Sequence, residues 1–147
     1  MRRALEFFLA IVGSANAIFV ETTFAQFNLL NRESIFALFL APGIYFLEIL
    51  AVRLLAIIST WKNTDAWLQT LWAGIGALMG ILILGMWTIG MPLLPTLITF
   101  SITAVSMSNR KNLSIKDGIR IGLIFFAIQI IFMLGIIWLG PIGLISD

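Results

Sequence analysis

Ala66 to Ser108 reads AWLQTLWAGIGALMGILILGMWTIGMPLLPTLITFSITAVSMS, a run with no Asp, Glu, Lys or Arg. Its reading decides the fold. One helix across the ~30 Å hydrocarbon core of a bilayer uses roughly 20 apolar residues, so this run is too long for a single crossing. It contains Gly90, Pro92 and Pro95. Proline removes a backbone donor and restricts the residue before it, so Thr88 to Pro95 is expected to form a tight turn between a third helix, 66–89, and a shorter fourth, 93–107.

Outward from that stretch the chain divides in the same manner. A first helix is expected over 4–26, closed by Asn28, Asn31, Arg32 and Glu33. A second is expected over 35–61, with Pro42 one to two turns inside it and Lys62 to Asp65 as its exit. The last is expected over 115–139, stopped by Gly140, Pro141 and Gly143. Composition agrees, with 61% hydrophobic and 11% charged residues in 147, against roughly 25% charged in an ordinary soluble domain. The expected class is all-α: one polytopic transmembrane helical bundle over 1–147, with lipid as its solvent.

Charge placement tests the count separately. With five crossings, Arg2, Arg3, Lys62, Arg110, Lys111, Lys116 and Arg120 fall on one side and only Arg32 on the other, with Arg53 inside helix two. Basic loops stay in the cytoplasm, which places the N-terminus there and the C-terminus outside. Merging helices three and four would move the basic 110–120 segment to the far side and reverse the bias. Trp61, Trp67 and Trp72 are expected near the cytoplasmic interface, and Trp87 and Trp138 near the outer one, because an indole has an apolar body and an N–H that seeks water. Met1 to Ala17 also has the general layout of a signal peptide, with Arg2 and Arg3 at its start and Ala15-Asn16-Ala17 as a small-x-small site. Glu6 at the head of the apolar stretch, and Ile18 to Val20 continuing past that site, favour a retained helix.

Ionisable and polar groups inside the expected spans are the functional candidates, since Asp, Lys or Arg at a helix centre costs roughly 2.5–3.5 kcal/mol to insert. Glu48 is near the middle of helix two. Arg53 lies five residues on, about 140° around the helix, so the two do not stack as an i, i+4 pair would. Glu6 is the expected partner of Arg53 and Asn16 the expected partner of Glu48, while Glu21 is expected to face the outer water. Helix four carries Thr96, Thr99, Thr103 and Ser106 on one face. These hydroxyls could line a polar path or bond to neighbouring helices and to their own backbone, which is the commoner role. Gly76-x-x-x-Gly80 and Gly118-x-x-x-Gly122, with Ala10, Gly13, Ser14 and Ala17 of helix one, are small-residue faces expected to pack within the monomer. In the 108–117 loop, Ser114 is placed to cap helix five with Asp117 three residues on.

The sequence has no Cys and no His, which removes thiolate chemistry and imidazole ligation. No cofactor or metal is expected. A net charge of +2 makes no nucleic-acid footprint. Glu6, Glu21 and Glu48 are spread over roughly 20 Å of depth at the helical rise, so no enzymatic centre is expected. The residues point to a non-enzymatic membrane protein, an accessory, immunity or assembly subunit binding a larger membrane partner. The alternative is a small oligomeric transporter or channel using Glu48 and the helix-four hydroxyls. The expected location is a multi-pass position in a bacterial cytoplasmic membrane, with the bilayer, another membrane protein or a second copy as partners.

Overall fold

The computed structural model describes residues 2–30 and 42–139, and every element among them is helical. Helix α1 is Arg2–Leu30, α2 Pro42–Lys62, α3 Asp65–Leu84, α4 Met91–Arg110 and α5 Ile115–Leu139, with a π-helical turn, Met86–Gly90, between α3 and α4. Four stretches, Arg2–Gln26, Asp65–Leu84, Met91–Arg110 and Ile115–Gly135, are long and apolar enough to cross a membrane. The outside of the bundle is apolar too: Phe19, Leu47 and Ile131 are 69%, 67% and 71% exposed. Large apolar side chains set outward in this number suit lipid rather than water. The part of the expected second helix before Pro42, the stop after Leu139 and the side chains of Trp87 and Trp138 lie outside the described residues.

Local chemistry sets the short connections. Asn63 and Asn112 adopt φ of 55° and 54°, the left-handed region that asparagine tolerates better than most residues. Thr64 Oγ1 then accepts from Trp67 N, capping α3, and Ser114 Oγ accepts from Asp117 N, capping α5 as its spacing predicts. The expected tight turn at Thr88 to Pro95 is displaced. The chain reverses earlier, through the π turn, where Gly90 N donates to Gly85 O at 2.6 Å. A Cβ on Gly90 would collide with the Leu82 carbonyl oxygen and lie 2.7 Å from the Gly85 carbonyl carbon, so this wide turn requires glycine. Pro92 and Pro95 fall inside α4, in its first two turns. Pro92 is tolerated at the helix start because the donor it lacks has no intrahelical partner there, whereas Pro95 is inside the helix, where one backbone bond is forgone. Hence α3 ends five residues short of the expected boundary, and α4 is longer at both ends.

Helices α1, α2, α3 and α4 contact one another in a closed ring, and α5 packs outside it, chiefly against α3. The pairs α1–α2, α3–α4 and α1–α4 are antiparallel. Phe7 meets Trp61 and Phe24 meets Phe46, with ring centroids 6.3 and 6.1 Å apart, which fixes the α1–α2 register. Helices α3 and α5 run parallel and very close, because Gly76 of one glycine motif meets Gly122 of the other, while Gly80 and Gly118 make room for Gln129 and Trp72. A Cβ on Gly76 would strike the Gly122 carbonyl, and one on Gly118 would lie 2.5 Å from Cε2 of Trp72. Small residues let helix backbones approach where no hydrophobic effect drives association, as within lipid. Trp72 therefore departs from the expected interfacial belt: it is 7% exposed, laid over Gly118, and its Nε1 donates to Ser108 Oγ at 3.3 Å. Trp61 is 67% exposed at the end of α2.

Candidate functional site

The candidate carboxylates are built into three separate contacts, each joining a different pair of helices, and Asn16 and Thr96 make a fourth, again between α1 and α4. At the end of the bundle that carries the N-terminus, Glu6 is fully buried. It accepts from Arg110 Nη2 at 2.7 Å, from Arg110 Nε at 3.1 Å and from Ser106 Oγ at 2.9 Å. Such a forked, charge-assisted contact is the strong form of carboxylate recognition. Arg110 Nη2 also donates to Asn63 Oδ1 at 2.8 Å, so one guanidinium ties α1, α4 and the α2–α3 connection. Nearby, Lys111 pairs with Asp65 at 2.7 Å and Arg3 donates to the Trp61 carbonyl at 3.0 Å.

Arg53 does not meet Glu6. It pairs with Glu21 at 2.9 Å, both side chains being mostly covered. The reason is side-chain direction: a helical side chain leans towards its own N-terminus. In the antiparallel α1–α2 pair, Arg53 therefore leans away from the end where Glu6 lies, and Glu21 leans back to meet it. Glu21 consequently does not simply face outer water. Its Oε2 takes Arg53, while its Oε1 is buried with no hydrogen-bond partner among the described residues.

Glu48 does not meet Asn16 either. Its Oε2 accepts from Gln129 Nε2 of α5 at 2.7 Å, and Gln129 is 8% exposed. Asn16 faces α4, donating to Thr96 Oγ1 at 2.9 Å and to the Pro92 carbonyl at 3.1 Å. Glu48 and Arg53 thus use the two sides of α2 implied by their five-residue spacing, one directed to α5 and the other to α1.

The α4 hydroxyls divide by role. Thr96 donates to the Gly13 carbonyl at 3.1 Å and Ser106 to Glu6, so both bond to α1. Thr99 and Thr103 donate to carbonyls of their own helix. Thr96 and Thr103 are fully buried. The small-residue face of α1 makes this contact possible, since a Cβ on Gly13 would lie 2.6 Å from Cε1 of Phe100.

Two partners went unnoticed in the sequence. Arg110 lies beyond the expected end of helix four at Met107, so its charge reads as an orientation signal rather than as a partner for Glu6. Gln129 is the one amide in the otherwise apolar interior of α5, a signal that a search for Glu48's partner could have used. Among the described residues no three acidic side chains gather at one point. Against protein-family profiles, curated proteins and solved structures the chain finds no match.

Proposed function

We propose that this chain is a five-span, non-catalytic membrane subunit, of the accessory, immunity or assembly kind, that binds a larger membrane partner. The observation that carries the reading is the dispersal of its intramembrane polar groups. Glu6 lies at one end of the bundle, while Glu21 and Glu48 are level with each other in the α1–α2 register but directed to different helices; the three are engaged by Arg110, Arg53 and Gln129 in separate contacts. Groups used in this way fix helix packing. Catalysis would instead need them to converge. Among the described residues few lie outside the helices, which leaves the apolar flanks as the recognition surface.

The fifth crossing is α2. Its 21 residues give about 31 Å at the helical rise, and it lies antiparallel between α1 and α3. The bundle end carrying Arg2, Arg3, Lys62, Arg110 and Lys111 is cytoplasmic by the positive-inside bias, in a bacterial cytoplasmic membrane. Since the chain has no Cys, single variants report topology cleanly. In intact cells an impermeant maleimide is expected to label Asp147→Cys and to spare Leu113→Cys. Labelling of both, or of Leu113→Cys alone, would reject this orientation.

Partner binding is tested by mild-detergent isolation from native membranes. The expected product is a complex with one larger membrane protein at fixed stoichiometry. Glu48 supports a second reading, transport, because it is only half-buried in the second turn of α2. The purified chain in liposomes is expected to pass no protons or monovalent cations, and Glu48→Gln to change nothing but stability. A flux abolished by Glu48→Gln, with the chain isolated alone, would replace the subunit reading by the transporter.

A further inference from the structure

We propose that the seam between the start of α1 and the end of α2 is a binding site for an anionic phospholipid. Arg2, Arg3 and Lys62 are all exposed there, and Arg3 is joined to the end of α2 through its bond to the Trp61 carbonyl. The nearby carboxylates are already engaged: Glu6 is buried against Arg110, and Asp65 is held by Lys111. Among the described residues, Arg2, Arg3 and Lys62 belong to no ion pair. Three cations are thus brought together with no anion supplied by the described residues.

Beside them stands an apolar wall. Trp61 is 67% exposed with Phe7 against its ring, and Leu5 and Phe8 of the same α1 turn are 54% and 61% exposed. No acidic residue occupies the first turn of α1, so the dipole of that helix end also favours an anion. A phosphodiester above, bound by guanidinium and ammonium groups, with an acyl chain below, along Trp61 and Phe8, matches both halves of this surface. Arginine forks suit phosphate oxygens, and an interfacial indole sits at headgroup level. Charge at the opposite edge of this end is different in kind. Lys116 and Arg120 on α5 flank Asp117, which offsets part of their charge. The site needs only that the bundle lies in a bilayer, not that it serves a partner, so the two proposals fail separately.

The test uses the full chain purified in neutral detergent, with native mass spectrometry reading retained lipid after addition of phosphatidylglycerol or phosphatidylcholine. Phosphatidylglycerol is expected to be retained and phosphatidylcholine not. Arg2→Gln with Lys62→Gln should weaken retention about 30-fold, from roughly fivefold per charge near a surface. Both side chains are exposed and unpaired, so this variant should melt like the wild type without lipid. Lys116→Gln with Arg120→Gln removes the same formal charge and should leave retention unchanged. Equal retention of the two lipids would overturn the proposal. So would an equal loss in both variants, which means diffuse charge, or displacement of the lipid by millimolar inorganic phosphate, which means a site for a free anion.

Discussion

Arg110→Met is expected to destabilise the bundle by about 3–5 kcal/mol, the usual result of removing one partner of a buried ion pair. The substitution keeps an unbranched apolar stem and removes the fork that makes three contacts with the two Glu6 oxygens. Glu6 is at 0% exposure beneath Arg110, so loss of the guanidinium leaves a covered carboxylate with no charged partner. Only the Ser106 hydroxyl would remain on that carboxylate. The same change releases Asn63, whose left-handed backbone shapes the link between α2 and α3. Reversible unfolding in mixed micelles measures the loss.

The double variant Glu6→Gln with Arg110→Met separates charge from packing. A neutral amide at position 6 costs far less to bury than an uncompensated carboxylate, so the double variant should be more stable than Arg110→Met alone. The gap between the double variant and the sum of the two single ones is the coupling between the groups. A strictly additive cycle, or an Arg110→Met protein as stable as wild type, would mean that this contact contributes nothing to holding α1 on α4.

The distance between expectation and outcome at this contact shows what a single sequence of this kind discloses. Segment count follows from length and apolarity, which are local properties. Arg110 and Arg2 fall at the same end of the bundle in the sequence reading and in the fold alike. Pairing depends on two things the linear pattern does not carry: the azimuth of each helix and the lean of its side chains. Depth alone matched Arg53 with Glu6, yet the lean towards each helix's N-terminus gives Arg53 to Glu21. Glycine motifs were more legible. Gly76, Gly80, Gly118 and Gly122 identified the close faces, though not that α3 and α5 meet each other in parallel. The π turn was hidden for a different reason. Prolines 92 and 95 carry the strongest turn signal locally, but the reversal is placed by the space that Gly85 and Gly90 leave for carbonyls.

Gly76→Ala is expected to be the most damaging methyl that can be added at the described interhelical glycines. Its Cβ would strike the Gly122 carbonyl oxygen and sit 2.8 Å from the carbonyl carbon and 3.0 Å from Cα. All three atoms are backbone, so no rotamer relieves the clash and the helices must part. Overpacking costs about 1–3 kcal/mol where side chains can shift, and a backbone-to-backbone contact should reach the top of that range. Separation would also loosen Trp72 over Gly118, Gln129 beside Gly80 and the Glu48–Gln129 hydrogen bond, since these lie along the same α3–α5 seam. Helix propensity pulls the other way, favouring Ala over Gly by roughly 0.8–1.0 kcal/mol, which supplies the control. Gly135, also in α5, has nothing within 4 Å of its added Cβ. Gly135→Ala should therefore match or slightly exceed the wild type in detergent melting temperature, while Gly76→Ala falls well below it. If both variants melt alike, the glycine at position 76 is a residue of composition rather than contact, and α5 is held to the ring by something other than the fit of two bare backbones.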